Sequence, residues 1–218
     1  MKMQSFVTLL AILFLSAACT DNKSLAQGNA VSGKKVGGSC EGCEAIYENK
    51  IPIEELSWEL TLPAYNETGP KLEIFGTVFK ADGKTPAAGV IMYVYHTDQG
   101  GQYPKKGDET GWDKRHGYLR GWIKTNVNGQ YRIKTLKPAS YPNSRIPAHI
   151  HCIIKEPQIN EYYIDDFLFN EDPFITESEK KRTDRPGGNG IIKLTAQKGI
   201  LTGKRDIYLG RNVENYPL

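Results

Sequence analysis

The feature that most constrains this chain is a succession of short apolar or alternating runs, each bounded by turn residues. The runs cover residues 72–80, 90–95, 118–125, 130–136, 149–155, 190–196 and 206–210. Alternation with period two gives a strand one core face, and no amphipathic helical stretch separates the runs. The sequence therefore predicts an all-β fold, a β-sandwich, with brief helices only near residues 43–49 and 177–182.

Size and charge limit the domain count and the classes of partner. The 218 residues are 39% hydrophobic, which is enough for one domain whose core needs no disulfide scaffold. The 28 basic and 25 acidic residues give a net charge of +3 and form no long run of either sign. We therefore expect neither nucleic acid nor an anionic membrane surface as a partner.

The N-terminus carries an export signal. Residues 1–18 combine Lys2, an apolar run and small residues, which is typical of a signal peptide too short to span a bilayer. Residues 15–19, Leu-Ser-Ala-Ala-Cys, resemble a bacterial lipobox, although Ser16 stands where an aliphatic residue is commoner. This resemblance implies that Cys19 is lipidated and holds the protein in the cell envelope, at the periplasm or outer membrane. The alternative is ordinary cleavage after Ala18, with Cys19 a plain thiol.

The rest of the chain divides into three predicted parts. Residues 19–39 are polar and contain glycine, which predicts a flexible tether behind the lipidated N-terminus. Residues 40–69 form an N-terminal extension, and residues 70–218 form the sandwich. In the extension, Cys40 and Cys43 are expected to form a structural disulfide in an oxidising compartment. A redox pair or half of a zinc site are the alternatives.

The stretch Pro147-Ala-His149-Ile-His151 carries the strongest chemical signal. Residues i and i+2 of a strand lie on one face, so both imidazoles are directed to one spot. Two converging histidines form half a metal site. Tyr141-Pro142 precedes them closely, and Tyr103 lies in the loop after the 90–95 run.

The segments 89–103, 121–142 and 147–151 together resemble the intradiol ring-cleavage dioxygenases, with the similarity clearest over residues 70–175. The resemblance implies a β-sandwich that holds a non-haem Fe(III) ion. The implied ligands are Tyr103, Tyr141, His149 and His151. Phenolates are hard anionic donors suited to a hard, highly charged ferric ion, which would lower the pKa of the phenols.

The same resemblance implies the reaction. An aromatic diol and O2 are the expected substrates, and the ring is cut between the two hydroxyl-bearing carbons to give a muconate-type diacid. Tyr141 is the implied labile ligand and general base, while the other three ligands stay bound. The ring substituent and the oligomeric state are left open by the sequence.

Two departures from the family pattern favour an alternative. Ile146 stands where members usually carry an arginine, so Arg145, one position earlier, is the candidate catalytic arginine. Asp166 corresponds to the family's glutamine. These changes motivate a second hypothesis, a non-catalytic envelope lipoprotein that binds catechol-bearing ligands through a retained metal site. The remaining histidines, His96 and His116, are expected at the surface or behind the ligands.

Overall fold

The computed structural model describes residues 35–217. The predicted signal peptide, the lipidation site Cys19 and residues 20–34 of the predicted tether lie outside this range. Two six-stranded sheets account for most of the regular structure, and the helices are single turns. The predicted all-β sandwich with few short helices is confirmed.

The strands are short, as the turn-rich sequence predicts. In chain order they are β1 (Glu59–Thr61), β2 (Lys71–Phe79), β3 (Ile91–His96), β4 (Arg120–Lys124), β5 (Gln130–Leu136), β6 (His149–Lys155), β7 (Tyr162–Tyr163), β8 (Phe167–Phe169), β9 (Ile191–Ile192), β10 (Thr195–Gln197), β11 (Ile200–Lys204) and β12 (Ile207–Tyr208). The predicted runs 130–136 and 149–155 coincide with β5 and β6. The predicted run 190–196 divides into β9 and β10.

Each sheet mixes antiparallel and parallel pairs. The first sheet has the order β1-β5-β2-β11-β10, and β12 also pairs with β2. The second sheet has the order β4-β3-β6-β8-β9, and β7 also pairs with β6. The pairs β1·β5, β2·β11, β2·β12 and β8·β9 are parallel, and the other pairs are antiparallel.

The main core lies between the two sheets and is set by the alternation of their central strands. In β6, Ile150, Cys152 and Ile154 point inward and are buried in this core. The alternate residues of β6 point to the outer face of the second sheet. There Ile153 joins a second cluster with Ile91, Tyr93 and Ile46 of the N-terminal segment. The second sheet is therefore covered on both faces, which explains why β3 and β6 are buried nearly throughout.

The predicted boundaries of the N-terminal parts need correction. Residues 35–39 are packed rather than free: Val36 is buried, and its backbone N–H donates to Asn160 at 3.0 Å. The extension also supplies β1, which pairs with β5, so the sandwich begins before residue 70. No local pattern in the sequence predicts β1, because this strand is three residues long and pairs with a strand more than 70 residues away.

Two of the five short helices in the described part of the chain lie where the sequence predicts them. A 3-10 helix covers Cys43–Glu48, and a one-turn α-helix, Glu177–Lys180, begins at a capping box built by Thr176 and Glu179. Three further turns were not predicted: the 3-10 turns Ile53–Glu55 and Pro63–Asn66 and the α-helical turn Asp113–His116. Among residues 35–217 there is no helix with both the length and the apolar character needed to cross a membrane.

Candidate metal centre

Both histidines of the Pro147–His151 stretch lie on the outer face of the second sheet, on strand β6. Pairing with β3 places Tyr95 beside His151, and pairing with β8 places Leu168 beside His149. The strand geometry therefore delivers the shared face that the spacing predicts. The His149 Nε2 and His151 Nε2 atoms lie 3.0 Å apart.

Two loops bring the tyrosines to the same place. Tyr103 lies after β3 and Tyr141 lies between β5 and β6, and the loops are packed against each other. Gly101 has φ +74°, and a Cβ there would lie 2.1 Å from the carbonyl oxygen of Ser140. Only glycine allows this approach. The Thr97 hydroxyl and the Ala139 carbonyl add a cross-link of 2.7 Å between the loops.

Four potential ligand atoms converge in this way. The Tyr103 Oη lies 2.5 Å from the Tyr141 Oη and 3.0 Å from the His151 Nε2. The Tyr141 Oη lies 3.2 Å from the His149 Nε2 and 3.4 Å from the His151 Nε2. Donor atoms bound to one first-row metal ion at about 2.0–2.2 Å come to lie about 3 Å apart. The structure brings together all four residues that the sequence named as ligands.

The hydrogen bonds behind the imidazoles fix which nitrogens face the centre as acceptors. The His149 Nδ1 lies 2.7 Å from the carbonyl oxygen of Pro147, and the His151 Nδ1 lies 3.0 Å from Asp166 Oδ1. Both partners can only accept, so each Nδ1 carries a hydrogen and donates. The Nε2 atom of each imidazole then faces the phenol oxygens. Two Nε2 atoms 3.0 Å apart can both bind one cation.

Burial of the two phenols, Tyr103 and Tyr141, is consistent with a bound cation at this centre. Burial raises the pKa of Tyr103 strongly, with the hydrogen bond to Tyr141 adding to the effect, and burial also raises the pKa of Tyr141. Both side chains are therefore neutral phenols unless a strong positive charge displaces their protons. Burial lowers the pKa of His149, which keeps its imidazole neutral and able to bind a metal. The donor set of two phenols and two imidazoles fits a ferric ion.

Asp166 is a functional residue whose contact the sequence did not predict. The sequence marked it only as a replacement of the family's glutamine. Burial opposes ionisation of Asp166, but the charge and hydrogen bond of His151 outweigh burial and hold its pKa below the usual value. With His149 and His151 it also forms a group of close potential metal-binding atoms. Its hydrogen bond to the His151 Nδ1 makes it a support for that ligand.

A stack of aromatic rings packs against one face of the His151 ring, in addition to the hydrogen bond from its Nδ1 to Asp166. The Tyr95 ring lies 4.5 Å from the His151 ring, and the His116 ring lies 3.8 Å from Tyr95 and nearly parallel to it. Trp112 stacks on His116 at 5.3 Å. Tyr95 was missed in the sequence, although its position in a strand next to β6 is the signal that could have found it. His96 and His116 were expected at the surface or behind the ligands, and their burial excludes the surface for both. His116 lies behind the ligand His151, through Tyr95.

Arg145 is not brought into this cluster. Its side chain is exposed, and its guanidinium carbon lies 5.6 Å from the ring centre of Phe174. Among the described residues it forms no hydrogen bond with a predicted ligand. Residues 141–147 form an irregular loop in which Asn143 has φ +59° and the Ile146 N–H donates to Ser144. This backbone conformation places the Arg145 side chain over the Phe174 ring and not in contact with the predicted ligands. The structure therefore does not support the predicted catalytic role of Arg145.

Comparisons with known proteins identify relatives of this chain. Residues 46–186 match the sequence profile of a family described as Dioxygenase. A catechol 1,2-dioxygenase of Acinetobacter baylyi is 32% identical in an alignment 128 residues long, which covers 46% of this chain and 40% of that protein. Catechol 1,2-dioxygenase 1 of Acinetobacter lwoffii is 30% identical in an alignment 159 residues long, which covers 62% of this chain and 50% of that protein. The chain spans about half the length of these curated relatives.

Solved structures share the fold. A mercury-inhibited catechol 1,2-dioxygenase from an Acinetobacter species matches with a TM-score of 0.53 and 20% identity, over 74% of this chain and 60% of that one. A dioxygenase domain from a Streptomyces species matches with a TM-score of 0.51 and 22% identity, over 68% of this chain and 85% of that one. At these identities the likeness concerns the arrangement of the two sheets.

The contact between Asp166 and His151 yields a prediction about iron affinity. Asp166→Ala removes the acceptor that orients the His151 ring, so we expect iron affinity to fall by about 10- to 100-fold. Asp166→Asn retains an acceptor oxygen and should lose less. Competition with a chelator measures the affinity. Asp108→Ala, at an exposed acidic position, is the matched control and should keep the original affinity. Equal affinities in Asp166→Ala and the control would contradict the assignment.

Proposed function

This chain belongs to the intradiol ring-cleavage dioxygenase family, and we propose that it is an iron enzyme that cleaves a catechol-type ring with O2 to a muconate-type diacid. The observation that carries this proposal is the convergence of the phenol oxygens of Tyr103 and Tyr141 with the Nε2 atoms of His149 and His151. Both atoms of O2 enter the two new carboxyl groups, so the reaction needs no further oxidant or reductant.

The residues of the site have distinct proposed roles: four would hold the metal ion, and others orient or cover these ligands. A ferric ion held by the four side chains would supply a Lewis acid that binds both catechol oxygens and activates the ring towards O2. The carbonyl oxygen of Pro147 and the carboxylate of Asp166 hold the two imidazoles in orientation. Tyr95 covers one face of His151 and excludes water from that side. These contacts fix the positions of the two histidine ligands before substrate enters.

Tyr141 is the proposed general base. It lies on the loop between β5 and β6, in contact with Tyr103 and both histidines. Because burial raises its pKa, a Tyr141 phenolate that is not bound to a cation attracts a proton strongly. Catechol must lose its hydroxyl protons to bind through both oxygens. Transfer of one of these protons to the Tyr141 Oη meets that requirement.

One observation favours the second candidate, a lipoprotein that binds catechol-bearing ligands without cleaving them. Ile146, at the position of the usual arginine, has 51% of its surface exposed, and Arg145 is turned towards Phe174. No arginine from this loop is therefore available to stabilise negative charge on a reacting ring. The metal-binding residues are the same in both candidates, so the distinction lies in turnover alone.

Oxygen uptake separates the two candidates. The iron-loaded protein should be red-brown, because tyrosinate-to-Fe(III) charge transfer absorbs visible light, and it should consume one O2 for each catechol cleaved. A coloured protein that binds catechol but consumes no O2 would be the binding lipoprotein. A purified protein that contains zinc or no metal, and cannot be loaded with iron, would contradict both candidates.

Two substitutions test the proposed roles of the ligands. Tyr141→Phe removes one phenol oxygen and leaves three ligands, so iron should stay bound while turnover falls by about 100-fold or more. His151→Ala removes a supported ligand, so most of the iron should be lost. Tyr208→Phe is the matched control, because Tyr208 lies outside the site against Phe79. Wild-type rates of catechol cleavage in Tyr141→Phe would refute its role as a base.

We further propose that Cys19 is lipidated and anchors the protein in the bacterial envelope. The lipobox-like sequence at residues 15–19 and the polar segment after it support this. The full-length protein expressed in a bacterium should enter the detergent phase in phase partitioning. Cys19→Ala should stay in the aqueous phase. Aqueous partitioning of the unsubstituted protein would exclude the anchor.

A further inference from the structure

The segment of residues 39–43 lies beside the metal centre, and a disulfide joins its two cysteines, Cys40 and Cys43. We call it the disulfide loop. Cys43 is fully buried in the cluster on the outer face of the second sheet, together with Tyr93 and Ile153. Cys40 packs against the same cluster, while Glu41 faces solvent. The loop is therefore anchored at both ends on the face that carries His151.

The middle of the disulfide loop is pressed onto the aromatic stack behind His151. Gly42 has φ +83°, and a Cβ there would lie 3.0 Å from His116 Nε2 and 3.2 Å from Trp112 Cζ3. The loop can approach these rings closely because residue 42 is glycine. Since His116 stacks on Tyr95, and Tyr95 stacks on His151, the position of the loop relative to His151 is fixed by direct contacts.

A cavity of about 380 Å³ lies between the disulfide loop and His151, the one predicted ligand in its lining. Ser39, Cys40 and Glu41 line it together with His151 and Asp166. A cavity of about 150 Å³ is enough to hold one benzene ring. This cavity therefore has room for a ring that approaches His151 and, in addition, for a substituent on that ring.

The lining of the cavity is unfavourable to an anionic substituent. The lining includes the carboxylates of Glu41 and Asp166 and neither lysine nor arginine. Arg115 does not line the cavity: its guanidinium lies over the Trp112 ring and forms an exposed ion pair with Glu41. A carboxylate brought into the cavity would lose hydration without gaining a cation. An uncharged substituent would instead bury apolar surface against Cys40, Ile153 and Tyr163.

We propose that the disulfide loop is the specificity-determining wall of the site, and that it selects catechols with an uncharged ring substituent over carboxylated catechols. This inference rests on the proposed function, because it assumes that a catechol binds beside His151. It also gives the Cys40–Cys43 disulfide a role in binding in addition to its structural one. The loop acts by shape and by the absence of positive charge, and it takes no part in the bond-making steps.

Binding measured without O2 tests the proposal independently of turnover. The iron-loaded full chain is titrated with catechol, 4-tert-butylcatechol and 3,4-dihydroxybenzoate, and the change in visible absorbance gives each Kd. We expect 3,4-dihydroxybenzoate to bind at least about tenfold more weakly than 4-tert-butylcatechol. Equal or tighter binding of the carboxylated compound would overturn the proposed selection.

Variants assign the selection to the loop. Ser39→Phe introduces a ring into the cavity and should raise the ratio of the Kd of 4-tert-butylcatechol to the Kd of catechol about tenfold. Ser178→Phe, at an exposed position on the helix Glu177–Lys180, is the matched control and should leave the ratio unchanged. Cys40→Ser/Cys43→Ser releases the loop and should reduce the discrimination between 4-tert-butylcatechol and 3,4-dihydroxybenzoate.

The outcomes distinguish this inference from the proposed function. If catechol binds and is cleaved, but Ser39→Phe leaves the ratio of Kd values at its original value, the disulfide loop is not the specificity wall and the proposed function stands. If the iron-loaded protein does not bind catechol at all, the proposed function and this inference both fail. A tenfold change in the ratio with Ser39→Phe, and none with Ser178→Phe, supports the assignment.

Discussion

The burial of strand β6 on both faces is the constraint on which the rest of the structure depends. Its inward side chains, among them Ile150 and Cys152, fill the core between the sheets, so the strand cannot shift by one residue without moving polar side chains into that core. The register thereby fixes His149 and His151 on the outer face. The N-terminal segment covers that face next to the histidines, so the metal centre lies between a sheet and the layer above it.

A second consequence of this arrangement is that the ligand set is preorganised by contacts outside it. The imidazoles are oriented through Nδ1 by a carbonyl and a carboxylate, and the two tyrosine loops are held together by the close approach of Gly101 to Ser140. These contacts leave two Nε2 atoms and two phenol oxygens facing a common point. Donor atoms held around one point in this way favour binding of a highly charged ion.

The departures from the family pattern differ in whether the substituted residue contacts a predicted ligand. Asp166, in place of a glutamine, is integrated into the site through His151, so the change alters the charge beside a ligand while the contact itself is made. Ile146 and Arg145 lie on an irregular loop and leave that side of the centre without an arginine. The disulfide loop is the wall proposed beside His151. The departures thus concern the charge and shape around the four predicted ligands, which themselves follow the family-like motifs of the sequence.

The sequence by itself determined the features that depend on local periodicity and spacing. Alternation gave the strands β5 and β6 residue for residue, the shared face of His149 and His151 follows from a spacing of two, and the family-like order of motifs gave the two tyrosines. Contacts between distant segments were decided by the tertiary structure alone. These include the pairing of β1 with β5, the packing of residues 35–39, the stacking of Tyr95 on His151 and the rotation of Arg145 towards Phe174. The physical reason is that each depends on which segments distant in the chain pair or pack together, and no local pattern encodes that choice.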